Sequence, residues 1–190
     1  EETASETKPP EAVSVNPNLK YKIEGDAVAI TRCAEGASGD FVIPTKIEGK
    51  TVTSIGKYVF AFCTSLTSIK IPDGVTSIGW SAFYNCRSLT SITIPDGVTT
   101  IGNSAFVNCT SLTSITIPDS VTNIGEYAFY ECTSLTSITI PDSVTSIGDF
   151  AFYQCRSLAS ITFQGAAPSV GENTFNSVAA GATAYVYEQF

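Results

Sequence analysis

The chain has 190 residues, a formal net charge of −8, six cysteines, no histidine and no methionine. Its length fits one domain, and its negative balance argues against nucleic acid or anionic membranes as partners. No stretch approaches the length of a membrane span.

Residues 1–18 are polar, contain Pro9, Pro10 and Pro17, and show no apolar period. They read as a disordered tether ahead of a domain at 19–190. The chain begins without methionine and without a signal peptide, as a processed or excised segment would. Residues 21–31 (YKIEGDAVAIT) alternate on either side of Gly25-Asp26, the pattern of a β-hairpin. Phe41 to Ile43, followed by Pro44, resembles a first strand-and-turn unit. Residues 46–50 (KIEGK) insert a loop before Val52 and Ile55 recover the register. Such an atypical first unit, about 19–55, is what a repeat array needs to cover its open end.

Residues 135–157 (LTSITIPDSVTSIGDFAFYQCRS) nearly copy 112–134, differing at five positions. A fixed period of this size indicates a solenoid. Leucine recurs at Leu66, Leu89, Leu112, Leu135 and Leu158. Isoleucine follows at Ile69, Ile92, Ile115, Ile138 and Ile161, and again two residues later at Ile71, Ile94, Ile117 and Ile140. The alternation is that of a strand with one buried face. Pro72, Pro95, Pro118 and Pro141 stop each strand, and Asp-Gly or Asp-Ser supplies turn chemistry. A second apolar pair, such as Val144 and Ile147, crosses another side of the coil. Gly148 is read as releasing the backbone, and DFAFYQC as a helical turn with Ala151, Phe152 and Cys155 inward.

One coil cannot stand alone. Ordering its backbone costs about 1–2 kcal/mol per residue, more than its few inward side chains return at about 1.5–3 kcal/mol each. Stacking closes the gap by pairing strands about 4.8 Å apart. The repeats proper run over about 56–160. In about 161–190 the Pro-Asp is lost, Val170, Gly171 and Phe175 keep their columns, and residues 184–187 (AYVY) offer a closing strand. This is the expected C-terminal cap.

The L-x-x-I-x-I head resembles that of leucine-rich repeats. The run IPDSVTSIGxxAFxxC is similar to the BspA-like subclass found on bacterial surfaces. The resemblance spans most of 21–187, with one departure: Gly97, Ser120 and Ser143 stand where better-known leucine-rich repeats carry Asn or Cys. It implies an α/β, right-handed solenoid of about five to six coils with one continuous parallel sheet. Short helical turns would lie opposite the sheet, with a hairpin cap at the N-terminus and a cap at the C-terminus. It further implies an exported bacterial surface protein that contacts host, matrix or neighbouring-cell proteins.

Cys63, Cys86, Cys109, Cys132 and Cys155 form one column, which favours buried thiols over a disulfide framework because stacked side chains point in parallel. Cys33 lies outside it. With no histidine and no C-x-x-C, no metal site is expected. Asp73, Asp96, Asp119 and Asp142 form a second column. Their spacing could suit a carboxylate pair or calcium. The identical turn setting of each instead points to side-chain bonds with nearby backbone amides. No catalytic pair, cofactor motif or phosphate loop is present, so no enzyme and no cofactor is expected. Asn108-Cys109-Thr110 matches a glycosylation acceptor by pattern only.

Two surfaces remain for binding. The strand face presents Ser91, Thr93, Ser114, Thr116, Ser137 and Thr139, with Ser68, Lys70, Ser160 and Thr162 at its ends. The opposite edge presents Trp80, Tyr84, Tyr127, Tyr130, Phe150 and Tyr153, residues that interfaces favour. The expected role is a non-enzymatic adhesion module, weak per domain and strengthened by avidity. A passive spacer that projects another domain is the alternative, and ice binding by the Ser/Thr rows a remote third.

Overall fold

The computed structural model describes residues 16–34 and 36–187, so the expected tether lies almost wholly outside the described residues. The chain enters as a hairpin, β1 (Leu19–Glu24) and β2 (Ala27–Cys33), paired antiparallel. The turn at Gly25-Asp26 places Gly25 at φ 62, a conformation that glycine adopts without a Cβ clash. After β3 (Ser38–Val42), the KIEGK segment is a second small hairpin: β4 (Lys46–Ile47) pairs antiparallel with β5 (Lys50–Ile55). Glu48 and Gly49 both have positive φ at its tip, the geometry of a tight two-residue turn.

From here each coil contributes one strand to each of two sides. The strands are β6 (Ser65–Lys70) and β7 (Ser77–Ile78), then β8 (Ser91–Thr93) and β9 (Thr100–Ile101). Next come β10 (Ser114–Thr116) and β11 (Asn123–Ile124), then β12 (Ser137–Ile140) and β13 (Ser146–Ile147). The last are β14 (Ser160–Phe163), β15 (Ser169–Val170) and β16 (Thr183–Val186). Partners lie one repeat apart, for example Ile92 with Ile115 and Ile124 with Ile147.

The solenoid has about seven coils rather than five to six, because β3 and β16 are full levels of the strand side despite their divergent sequences. The strand side is not one continuous sheet. It divides into a four-stranded part, β10-β8-β6-β3, and a three-stranded part, β12-β14-β16. The longer sheet is the other one, a nine-stranded assembly running β1-β2-β5-β7-β9-β11-β13-β15 with β4 attached to β5. Sequence periodicity under-reads that second sheet, since its strands are only two residues long in the repeats.

The expected helical turns are also corrected: among the described residues there is no helix. Each third side has two non-glycine residues at positive φ, four apart, such as Ser81 and Asn85, Ser104 and Asn108, or Tyr127 and Glu131. Left-handed residues at that spacing cannot belong to an α-helix. They turn alternate N–H groups toward the next coil instead. Tyr127, Phe129 and Glu131 donate to the carbonyls of Asp149, Ala151 and Tyr153 at 2.7–2.9 Å. Backbone polarity on the third side is thus satisfied between coils, as it is in the sheets.

The core is a stack of columns. Phe60, Phe83, Phe106, Phe129 and Phe152 are fully buried. Their rings stack at 5.0–5.3 Å, nearly parallel, from Phe60 through to Phe175. Threonines add a side-chain ladder that the sequence reading missed. The Thr90 hydroxyl donates to the Thr67 carbonyl (3.1 Å), and the Thr145 hydroxyl to that of Thr122 (3.1 Å). Gly148 serves close approach rather than backbone freedom: its φ is ordinary, and a Cβ there would sit 2.5 Å from the Glu126 nitrogen.

Candidate interaction surface

The third side of the solenoid builds the most distinctive exposed surface. In every coil the chain folds back on itself through three-residue steps, for example Tyr130 N–H to Tyr127 O at 3.1 Å and Cys132 N–H to Phe129 O at 3.1 Å. This geometry sends Ala128, Phe129 and Cys132 into the core and leaves Tyr127 and Tyr130 at the surface.

Four expected residues come together on the last coils. Tyr127 stacks on Phe150 at 5.1 Å with an interplanar angle of 3°, and Tyr130 stacks on Tyr153 at 5.3 Å and 11°. Within a coil the rings are inclined: Tyr127 to Tyr130 by 55°, Phe150 to Tyr153 by 66°. The result is two short aromatic ladders leaning together, with Glu126, Glu131 and Asp149 beside them in sequence and Glu172 on the next coil, where its carbonyl accepts the Phe150 N–H at 2.9 Å. Partial burial, Glu131 and the neighbouring tyrosines raise the Tyr130 phenol above its ordinary range.

Trp80 and Tyr84 belong to a separate patch. Trp80 is 50% exposed, and Tyr84 meets Phe62 edge-on at 5.4 Å. Phe62 (51% exposed) and Tyr58 (54%) are surface aromatics that the sequence reading overlooked. The signal was available, because Tyr58 occupies the same column as Tyr127 and Phe150, three and four repeats earlier. Together with Thr31, Arg32 and Lys57 they line a groove of about 320 Å³. Val107, which interrupts the tyrosine column, is buried, and the coil between the patches shows Asn103, Ser104 and Asn108.

The strand face is as expected in register: Ser91, Ser114 and Thr93, Thr116 face outward in paired positions, as do Ser137 and Thr139 on β12. Its middle strands carry only serine and threonine outward; Asp40 and Lys70 stand on its first strands and Tyr185, paired with Thr162 and 50% exposed, on its last.

All six cysteines are buried. The thiols of Cys86, Cys109, Cys132 and Cys155 donate to the carbonyls of Phe60, Phe83, Phe106 and Phe129 at 3.0–3.2 Å. Burial pushes Cys109 and Cys155 up to about 12 and raises Cys86 and Cys132 as well. Cys33, which the sequence could not place, closes β2 against the first coil. Its N–H bonds the Val59 carbonyl at 2.8 Å, and its thiol is raised by a hydrogen bond with Cys63 and by burial. The aspartate column departs from expectation. Asp73, Asp96, Asp119 and Asp142 are exposed and make no side-chain hydrogen bond among the described residues. Their turns close through backbone instead, as in Val98 N–H to Pro95 O at 3.0 Å.

The comparisons agree with this architecture. The family described as the BspA type leucine rich repeat region matches residues 53–182 in six copies. A leucine rich repeat protein of T. pallidum superimposes with a TM-score of 0.76 at 31% identity, over 92% of this chain and 86% of its own. A leucine rich cell surface protein from Faecalibacterium prausnitzii A2-165 gives 0.73 at 33% identity, over 90% of this chain and 50% of its own. A leucine-rich repeat protein from Bacteroides ovatus gives 0.73 at 33%, over 86% of this chain and 44% of its own. This chain therefore spans half or less of those last two structures. No curated protein matches it. None of these similarities indicates an enzymatic family. The repeat columns, the stacked core and the matched copies together make this chain a member of the BspA-type leucine-rich repeat family.

Proposed function

We propose that this chain is a non-enzymatic surface module that binds proteins of host or neighbouring bacterial cells, through the aromatic edge more than through the sheet. The observation that carries this reading is the clustering of eight aromatic side chains on one edge, in two patches. Aromatic residues in partly buried clusters supply most binding energy at protein interfaces. The sheet cannot do so alone. Seven strands about 4.8 Å apart span roughly 29 Å, and with about 15 Å of usable strand length the face covers roughly 430 Å². A stable interface takes about 800 Å² from each partner. Its serines and threonines offer no anchor, and its one outward aromatic strand residue among the described residues, Tyr185, stands alone on the last strand. The similarity to a cell surface protein of F. prausnitzii supports exposure outside the cell.

Adhesion by such a module relies on many copies, which raise avidity by roughly 10²–10⁴ over a single contact. The test compares the soluble domain with beads that display it densely, each challenged with matrix and cell-surface proteins. The reading requires bead adhesion that weakens in Trp80→Ala and Tyr130→Ala, with weak or undetectable binding by the monomer. Tight monomer binding that ignores both substitutions would place the site elsewhere.

A further inference from the structure

The two aromatic patches occupy one edge but carry opposite charge. Around Tyr58, Phe62 and Trp80 stand Arg32, Lys57 and Arg87, all exposed. Around Tyr127 and Phe150 stand Glu126, Glu131, Asp149 and Glu172, against one exposed cation, Arg156, which holds the column of Arg87 on the Phe150 coil, so the patch stays net negative. None of these four carboxylates forms an ion pair among the described residues; the pairs there are Lys22–Glu24 and Lys50–Asp26, both at the hairpin end. The uncharged coil of Asn103, Ser104 and Asn108 lies midway, two repeats from Tyr58 and two from Phe150.

The edge is thus symmetric in position and opposite in charge about that middle coil. The geometry points to a second copy of this chain as the partner, docked edge to edge with its solenoid antiparallel; this inference rests on the reading of the edge as the binding surface. A two-fold axis lying across the Ser104 coil sets the Lys57 level of each copy over the Asp149 level of the other. The same rotation sets Trp80 over the level of Glu126 and Tyr127. Arg32, one level below Lys57, then faces Glu172, one level above Asp149. Such a contact is isologous and closes at two copies. A parallel pair would place carboxylates over carboxylates and lysine over lysine, so charge selects the antiparallel one.

The contact is small. Five coils at about 4.8 Å spacing and one turn of width give roughly 350–400 Å² per copy, below the stable class and within the transient one. Weak homotypic pairing between copies carried on facing surfaces would then be strengthened by number, as the avidity reading demands.

The experiment is sedimentation of the full chain from about 10 μM to about 1 mM, the range that brackets weak association. It is run at low salt and at about 0.5 M salt, where surface charges are screened within a few Å. Concentration-dependent dimers at low salt that weaken at high salt are expected. Each charge contact occurs twice, so Lys57→Asp or Asp149→Lys alone should weaken dimerisation roughly tenfold or more. An equimolar mixture of the two variants should restore it, because every facing pair is again of opposite sign. Trp80→Ala, which leaves the backbone bonds of Asp149 untouched, should weaken it as well, and melting curves check that each variant is folded. Wild type that stays monomeric at about 1 mM, or a mixture that associates no better than its components, overturns the inference. If beads then adhere to foreign proteins but never to one another, the binding role survives and only the homotypic partner falls. If beads adhere to nothing, both fall.

Discussion

The cysteine column shows how a repeat chooses a residue. The side chain must be small, apolar and able to satisfy one carbonyl across the coil step, and a thiol does all three. Cys86, Cys109, Cys132 and Cys155 each give their S–H to a phenylalanine carbonyl of the coil before. In the last coil Val178 holds this column, and Thr174, in the alanine column, places its hydroxyl 3.0 and 2.9 Å from the carbonyls of Gly148 and Gly171. Two consequences can be measured. These four thiols should react with a thiol reagent only after denaturation, and mass spectrometry that finds two or more intact bridges in the column would contradict that. The second concerns pH. Burial raises the folded thiols from the ordinary 9.0 to about 12 at Cys109 and Cys155, so folding favours the protonated form. That stabilisation is complete below about pH 9 and is lost as pH rises toward about 12. Urea midpoints should therefore fall over that window while thiolate absorbance appears only with unfolding. A midpoint unchanged up to pH about 11 would refute the assignment.

At the level of the element, the third side of the coil is where sequence pattern and structure part. Ala-Phe-x-x-Cys has the three- and four-residue spacing of a helix, and that spacing did identify the inward residues correctly. Its backbone is not helical, because the N–H groups of Phe106 and Asn108 reach forward to Ala128 and Tyr130 at 2.8 and 2.9 Å. A helix would direct its hydrogen bonds along its own axis and leave nothing to join one coil to the next. The cost is two residues per coil at positive φ, which asparagine accepts most readily among non-glycine residues and tyrosine less so. The phenylalanine of this segment anchors each level. Phe129 lies between Phe106 and Phe152 at 5.2 and 5.0 Å, so Phe129→Ala should destabilise by about 3–5 kcal/mol in chemical denaturation. Ser137→Ala, on the exposed strand face, should shift stability by less than about 0.5 kcal/mol. Comparable losses from the two substitutions would mean that the inward and outward faces have been misassigned.

Across the whole molecule, stability is a sum over neighbouring coils, and the two ends differ. The hairpin end buries Val28 and Ile30 completely. At the other end β16 pairs with β14, yet all four of its residues are exposed, and Val170 and Val186 are about half exposed in columns that are buried elsewhere. Local opening needs least free energy where fewest apolar contacts are broken. Amide exchange should therefore be fastest in β15 and β16, slowest in β8 to β12, and graded between. Uniform protection along the solenoid would show instead that it opens only as one unit. The same linear build lays two charge-opposed aromatic patches along one edge, at distances set by the repeat.

How much of this was written in the sequence follows from what a period can encode. Register, inward columns, the phenylalanine stack, the buried cysteines and the family all depend on which residue recurs at which step, and the sequence determined them by itself. Tyr58 and Phe62 were legible too, had the columns been carried one coil further upstream. What only the tertiary structure decided is how neighbouring levels meet. The close approach at Gly148, the forward N–H bonds of the third side and the threonine ladder are contacts between residues 22 or 23 apart. A local spacing rule sees none of them. The seventh level was hidden for the same reason: β3 and β16 are strands because a neighbouring coil supplies their hydrogen bonds, not because their own residues repeat the pattern.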